Sequence, residues 1–282
     1  MSRRVKEKIF FMLFRGCALV VGLALVIILG YIIVLGMGTL SWEFLTQFPR
    51  RGFTEGGIFP AIVGTLYLMG LVMLIAVPIG VLTTVYISEY QGKSRFANIL
   101  RVVVNNLAGV PSIVYGLLGL GMLVLYFNWG FSLMASAVTL AFLVLPLVIT
   151  ASREAIQAVP ESLREASLAL GTTKWQTIRH HVLPYSTPGI LTGVILSLSR
   201  AAGETAPILL TGVVLTKSIL PQSVWDTFMA MPFQLYALAT QTVFEKTAPF
   251  QYGTALVLLI MVVLMNLAAI IIRDRYREKY KW

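Results

Sequence analysis

Only 12% of the 282 residues are charged, about half the share that a water-exposed domain carries. With a hydrophobic content of 57%, that shortfall excludes a soluble globular surface. A single cysteine, Cys17, excludes an intrachain disulfide and leaves the redox compartment unspecified. The two histidines, His180 and His181, are adjacent and point to different sides of any helix. No zinc motif or nucleophile elbow surrounds them, which argues against a membrane-embedded enzyme. Nucleotide chemistry is missing too. Gln91-Gly92-Lys93-Ser94 contains the end of a P-loop, but the glycine needed five residues before Gly92 is Ile87, so the stretch reads as a solvated loop.

What the chain has is runs of roughly 20 apolar residues, the length that crosses a bilayer core. Six segments bounded by charge predict an all-α polytopic membrane protein with transmembrane helices at 17–38, 59–86, 99–127, 130–150, 188–215 and 252–272. They form one transmembrane domain, 17–272, between an N-tail of 1–16 and a C-tail of 273–282. The first run follows Arg3, Arg4, Lys6, Lys8 and Arg15 and so has the flank of a secretory signal. It is too long for one and lacks a small-x-small site after it, so it is expected to remain as an uncleaved span.

The formal net charge of +10 is a topology signal. The N-tail, the second and fourth loops and the C-tail hold 17 basic residues, whereas the alternate loops hold Arg50, Arg51, Lys217 and Lys246. The positive-inside rule then puts both termini in the cytoplasm. Seven acidic residues share the inside set, four lie outside, and Arg200 cancels Glu204 within the membrane. The whole excess therefore lies on the cytoplasmic side, where it anchors topology and does not imply nucleic acid. Trp42 and Trp225 mark the outer interface, and Pro221, Pro232 and Pro249 are expected to break helix in the last outer loop.

The fourth loop, 152–185, predicts two short helices projecting into the cytoplasm. Pro160 and Glu161 suit a first turn and Gly171 a stop. Thr173 with Gln176 fits a capping box, and the second helix is expected to end before Pro184. Composition alone describes a solvated connector. A DNA-reading helix-turn-helix is disfavoured because both ends are tethered close to the bilayer.

Arg200 and Glu204 lie within the fifth run, where a charge costs about 2.5–3.5 kcal/mol on insertion scales. Spaced four apart, they face the same way on a helix. A self-neutralising pair is one reading, but cation before anion is the weaker order, and an intramembrane charge marks a functional site by default. Gly203 sits beside them, and Pro207 cannot donate to its carbonyl. Unpaired backbone next to a buried charge is tolerated where it lines a cavity or pathway. Arginine suits an oxyanion there, because its planar donors engage two oxygens and it stays protonated.

Glu165-Ala166-Ser167, Gly171 and Leu183-Pro184 resemble the EAA loop of ATP-binding-cassette importer permeases. That pattern is Glu-Ala-Ala, three residues, Gly, nine residues, Ile, any residue, Leu-Pro. Spacing matches at Glu165, Ala166, Gly171, Leu183 and Pro184 and departs at Ser167 and His181, where the family has Ala and Ile. The resemblance implies a MetI-like permease architecture in which the first short helix couples to a cytoplasmic ATPase. Small Ala166 and Ser167 would allow close approach, Gly171 a sharp turn, and Glu165 would offer a carboxylate to basic groups. ATP and Mg would then be held on the partner, with no cofactor on this chain.

A second resemblance narrows the first. The run from Ser199 to Ile208, SRAAGETAPI, is similar to the corresponding run of phosphate-importer permeases of the A type (PstA), and Leu107 to Gly116, LAGVPSIVYG, is another match. It implies a second, C-type permease, two ATP-binding cassette subunits and a periplasmic or surface phosphate-binding protein, in a bacterial inner membrane. It also implies that Arg200 serves phosphate passage, with Glu204, Gly203 and Pro207 in the same signature. Arg153 is a candidate for the exit side, equally readable as a positive-inside anchor. A permease for molybdate or sulfate is the nearest alternative; an ion-coupled carrier or channel without an ATPase is the more distant one. Asn105, Asn106, Ser112 and Tyr115 read as path-lining or interhelical groups, Pro78, Pro111 and Pro146 as kinks or tolerated irregularities, and Gly116, Gly119 and Gly121 as helix contacts.

Overall fold

The computed structural model describes residues 3–90, 94–240 and 244–279. In chain order the elements are α1 (Arg3–Met37), α2 (Trp42–Thr46), β1 (Pro49–Arg50), β2 (Glu55–Gly56), α3 (Phe59–Val85), α4 (Arg95–Ala108) and α5 (Ser112–Leu118). There follow α6 (Leu133–Gln157), α7 (Glu161–Ala169), α8 (Lys174–Thr177), α9 (Leu183–Gly203), α10 (Ala206–Leu209), α11 (Met231–Thr240) and α12 (Phe244–Lys279). π-helical turns extend α3 over Tyr86–Tyr90 and α5 over Gly119–Tyr126, and join α8 to α9 over Ile178–Val182. Among the described residues, five helical stretches are long and apolar enough to cross a membrane, and α4 with α5 supplies a sixth only as a bent pair. Gln91, Gly92 and Lys93 of the rejected P-loop, and Lys281 of the C-tail, lie outside the described residues.

Helix α6 runs between α3 and α9, and glycines set both separations. A Cβ on Gly80 of α3 would lie 2.6 Å from Val148 Cγ1, and one on Gly189 of α9 2.5 Å from Ala155 Cβ. Gly193 meets Ala151 in the same way, one turn on. In lipid, where apolar tails compete equally for apolar side chains, such close backbone approach drives helix association. Thr84 adds a hydrogen bond from α3 to the Ile149 carbonyl at 3.2 Å. Buried Leu68, Val72, Leu140, Val144 and Phe228 fill the centre. By contrast, α1 from Phe10 onward is strongly apolar and mostly exposed, as a helix facing lipid is. It rests on α12 through Gly36 and an edge-to-face contact between Tyr31 and Tyr252 at 5.7 Å.

Several boundaries differ from those the sequence predicts. The run at 99–127 is not one helix: α4 and α5 meet at 108°. Pro111, held at φ −58° and ψ 141°, disfavours helix at the residue before it and donates no hydrogen bond. Ser94 caps α4 by accepting from Ala97 N at 3.2 Å. Helix α6 starts after Ser132, which accepts from Ala135 N, and continues to Gln157, well past the expected end at 150. The second short helix does not stop before Pro184. Its wide π turn takes up the missing proline bond, and Lys174–Gly203 is one continuous stretch of 30 residues. The run at 188–215 loses helix at Gly203. Pro249, expected to break helix, lies inside α12 near its start, tolerated there as Pro78 is inside α3. The antiparallel hairpin of β1 and β2, with Phe53 buried beneath it, was not anticipated.

Candidate functional site

Arg200 occupies the last turn of α9, and Glu204 is the extended residue that ends it, at φ −75° and ψ 130°. They are still in contact: Arg200 Nε reaches Glu204 Oε1 at 3.5 Å, the outer limit of a hydrogen bond. The arginine side chain is 45% exposed and the glutamate's 18%. Gly203 is exposed and a Cβ there would meet nothing within 4 Å, so backbone at the break faces open space. The pairing is thus loose and one-sided, unlike a buried structural ion pair. One residue earlier, Ser199 donates to Asn266 Oδ1 at 2.9 Å and fixes this turn of α9 against α12.

After Glu204 the chain folds back. Pro207 and Ile208 are buried, and short α10 packs against α5. A Cβ on Gly116 would lie 3.1 Å from both the Ala206 carbonyl oxygen and Pro207 Cα. The two sequence signatures, some 90 residues apart, therefore meet backbone to backbone at this glycine. Thr211 donates to the Pro207 carbonyl at 2.9 Å and shares a hydrogen bond with Ser136 of α6. Gly119 is likewise tight against Thr139 and Thr211, whereas a Cβ on Gly121 would meet nothing within 4 Å. Tyr115 is buried and donates to the Leu107 carbonyl at 2.8 Å.

Arg153 is not brought to Arg200. Because Ala151 and Ala155 lie level with Gly193 and Gly189, Arg200 is nine residues farther along α9 than the Arg153 level, roughly 14 Å at 1.5 Å per residue. Arg153 instead lines a cavity of about 40 Å³ with Arg101, Asn105, Thr84 and Thr150. Its Nε is buried there without a hydrogen-bond partner. A desolvated donor of that kind calls for an acceptor. Arg101, a basic residue of the second loop in the charge count, is brought to this cavity by α4.

The hairpin of α7 and α8 forms with the turn and cap that its punctuation predicts. Gly171 takes φ +81°, the left-handed conformation that lets α7 stop sharply. Thr173 and Gln176 complete the capping box. Glu165 and Ala166 are exposed on α7, but Ser167 is 5% exposed and faces inward. Its hydroxyl lies 2.8 Å from Thr172 Oγ1 and 3.0 Å from Thr177 Oγ1, binding α7 to α8. The expected docking surface therefore loses Ser167, whose smallness serves the hairpin. Arg164, a basic residue of the fourth loop, turns toward the helical bundle and pairs with Glu89.

Residues 76–281 match the family described as "Binding-protein-dependent transport system inner membrane component". The chain is 31% identical to "Probable ABC transporter permease protein YqgI" of Bacillus subtilis over 95% of each chain. It is 40% identical to "Phosphate transport system permease protein PstA 1" of Mycobacterium tuberculosis, over 77% of this chain and 71% of that one. In fold it is similar to a chain in "Crystal structure of a bacterial ABC transporter involved in the import of the acidic polysaccharide alginate", with a TM-score of 0.69 at 17% identity, covering 97% of this chain and 99% of that one.

Proposed function

The chain belongs to the family of binding-protein-dependent transport system inner membrane components, and from that premise we propose that it is the A-type permease subunit of an ATP-driven importer of inorganic phosphate. The relatives named for phosphate transport support the substrate. The observation that carries the reading is the loosely held Arg200 at the broken end of α9.

A guanidinium engaged by one glutamate oxygen at 3.5 Å keeps donors for a second oxyanion. Phosphate entering the open space beside Gly203 would take up those donors, in competition with Glu204. The competing carboxylate keeps binding weak, as conduction requires, because a site that held phosphate tightly would not release it. Arg153, deeper toward the cytoplasm with Arg101 beside it, would receive the ion next. The pathway is shared with a second, C-type permease, and a phosphate-binding protein outside delivers the substrate. ATP and Mg are bound by two cassette subunits docked at α7, where Glu165 and Ala166 face outward. The chain sits in the bacterial cytoplasmic membrane with both termini inside, and it does no bond-breaking chemistry itself.

The test is phosphate uptake into vesicles carrying the partner subunits and binding protein, with and without ATP, competed by sulfate, arsenate and molybdate. Uptake should require ATP and be inhibited by arsenate alone. Preference for sulfate or molybdate would transfer the reading to those oxyanions, and ATP-independent uptake would defeat it.

A further inference from the structure

Arg164 precedes Glu165 by one residue but faces the opposite way. Its Nε and Nη2 donate to Glu89 Oε1 at 3.2 and 3.0 Å. Nη2 also donates to the Ile156 carbonyl at 2.8 Å, and Nη1 to the Val159 carbonyl at 2.6 Å. Glu89 belongs to the π turn that extends α3, and Ile156 and Val159 bracket the end of α6. The last carbonyls of a helix lack intrahelical donors and carry partial negative charge, so a cation there is doubly favoured. Side-chain exposures are 21% for Arg164 and 10% for Glu89, against 77% and 52% for the surface pair Arg51 and Glu55. Solvent screening is correspondingly weaker. One flat guanidinium thus joins α7 to two transmembrane helices, a geometry that the single ammonium of lysine cannot reproduce.

Ser167, three residues on from Arg164 and so on the same face of α7, ties it to α8 through Thr172 and Thr177. We infer that Arg164 and Glu89 are a positioning pair that makes α7 and the cytoplasmic ends of α3 and α6 one rigid body, so that movement imposed on α7 reaches the substrate path. Helix α6 passes it to α9 through the contacts of Ala155 with Gly189 and Ala151 with Gly193, and the last turn of α9 carries Arg200. The inference rests on the reading of α7 as the ATPase-docking helix.

The experiment uses the assembled transporter in vesicles and reads phosphate uptake per ATP hydrolysed. Glu89→Gln should keep the ATPase subunits and their stimulated hydrolysis while uptake per ATP falls about tenfold, within the range reported for mutations along coupling networks. Arg164→Lys should do the same. Cysteines at 89 and 164 in a Cys17→Ser background, bridged by a short bifunctional thiol reagent, should recover the wild-type ratio. An unchanged ratio in both single variants overturns the inference, as does loss of transport on bridging, which would require α7 to move relative to α3. Failure of both single variants to assemble also overturns it, making the pair a folding element. Co-purification of the ATPase with Glu165→Lys judges the docking reading separately: undiminished recovery there defeats that reading and leaves the linkage ratio as its own result.

Discussion

The hydroxyl of Tyr115 donates to the carbonyl of Leu107 at 2.8 Å, across the 108° break between α4 and α5. In an unbroken helix that carbonyl would accept from residue 111, which is proline and has no N–H. The Val110 N–H donates there instead, at 3.1 Å, and the tyrosine adds a side-chain donor from the next helix that ties α5 to α4 across the break. Tyr115→Phe should cost about 1 kcal/mol, the usual net worth of one hydrogen bond. Thermal unfolding in detergent measures it. An unchanged midpoint would mean that packing at Gly116 alone holds the break.

Arg200→Gln should abolish phosphate uptake while the permease pair and its ATPase still co-purify, because the position is exposed and glutamine keeps an N–H donor for the largely buried Glu204. Glu204→Gln should weaken uptake less and lower the phosphate concentration needed for it, since the competing carboxylate is gone. Normal uptake with Gln at position 200 would remove that residue from the path.

Gly193→Leu should destabilise the protein by about 2 kcal/mol, in the range of overpacked cores. Its Cβ would already collide with Ala151. The double variant with Ala151→Gly should recover part of the loss. Equal stability of the single and double variants would show that α6 and α9 are not in contact at this level.

Gly171→Ala should cost about 1 kcal/mol, because φ +81° is strained for any residue with a Cβ. Open space around it excludes a clash as the cause. Proteolysis of the α7 to α8 turn should quicken, and resistance equal to wild type would count against a rigid hairpin.

A pH effect is expected outside the membrane. Backbone N–H groups of Gln222 and Ser223 donate to Asp226 at 2.8 and 3.0 Å. They, and to a lesser extent the charge of Lys217, hold its carboxyl below the ordinary carboxylate range. A depressed carboxylate stabilises the folded loop fully above its unfolded pKa and loses that contribution as pH falls. Fluorescence of Trp225, stacked edge-on to Trp129 at 5.4 Å, should therefore hold steady above pH about 4 and change below it. The Asp226→Asn variant should show no such transition. An identical transition in that variant would assign it to another group.

Local features were legible in the sequence. Gly171, the Thr173 capping box and the apolar runs each announce themselves within a few residues, and the structure places turn, cap and helices there. Helix ends that depend on tertiary partners were not. Gly203 ends α9 because the chain turns back to meet Gly116, a contact some 90 residues away. Pro249 fails to break α12, as Pro78 fails to break α3, because packing in membrane helices tolerates an interior proline. Ser167 fits the loop pattern by spacing, but which way it faces depends on Thr172 and Thr177. Arg164 and Glu89 lie 75 residues apart, so hydropathy and motif spacing could register each only as a loop charge.

The uninterrupted stretch from Lys174 to Gly203 has a mechanical consequence. Thirty helical residues make a rod of about 45 Å, since each adds 1.5 Å. Tilting such a rod by about 10° displaces one end by roughly 8 Å relative to the other, on that same length. Arg200 and Glu204 both sit at the end of that rod, so a tilt would carry the pair sideways as a unit, with no joint between the α8 hairpin and the broken end of α9.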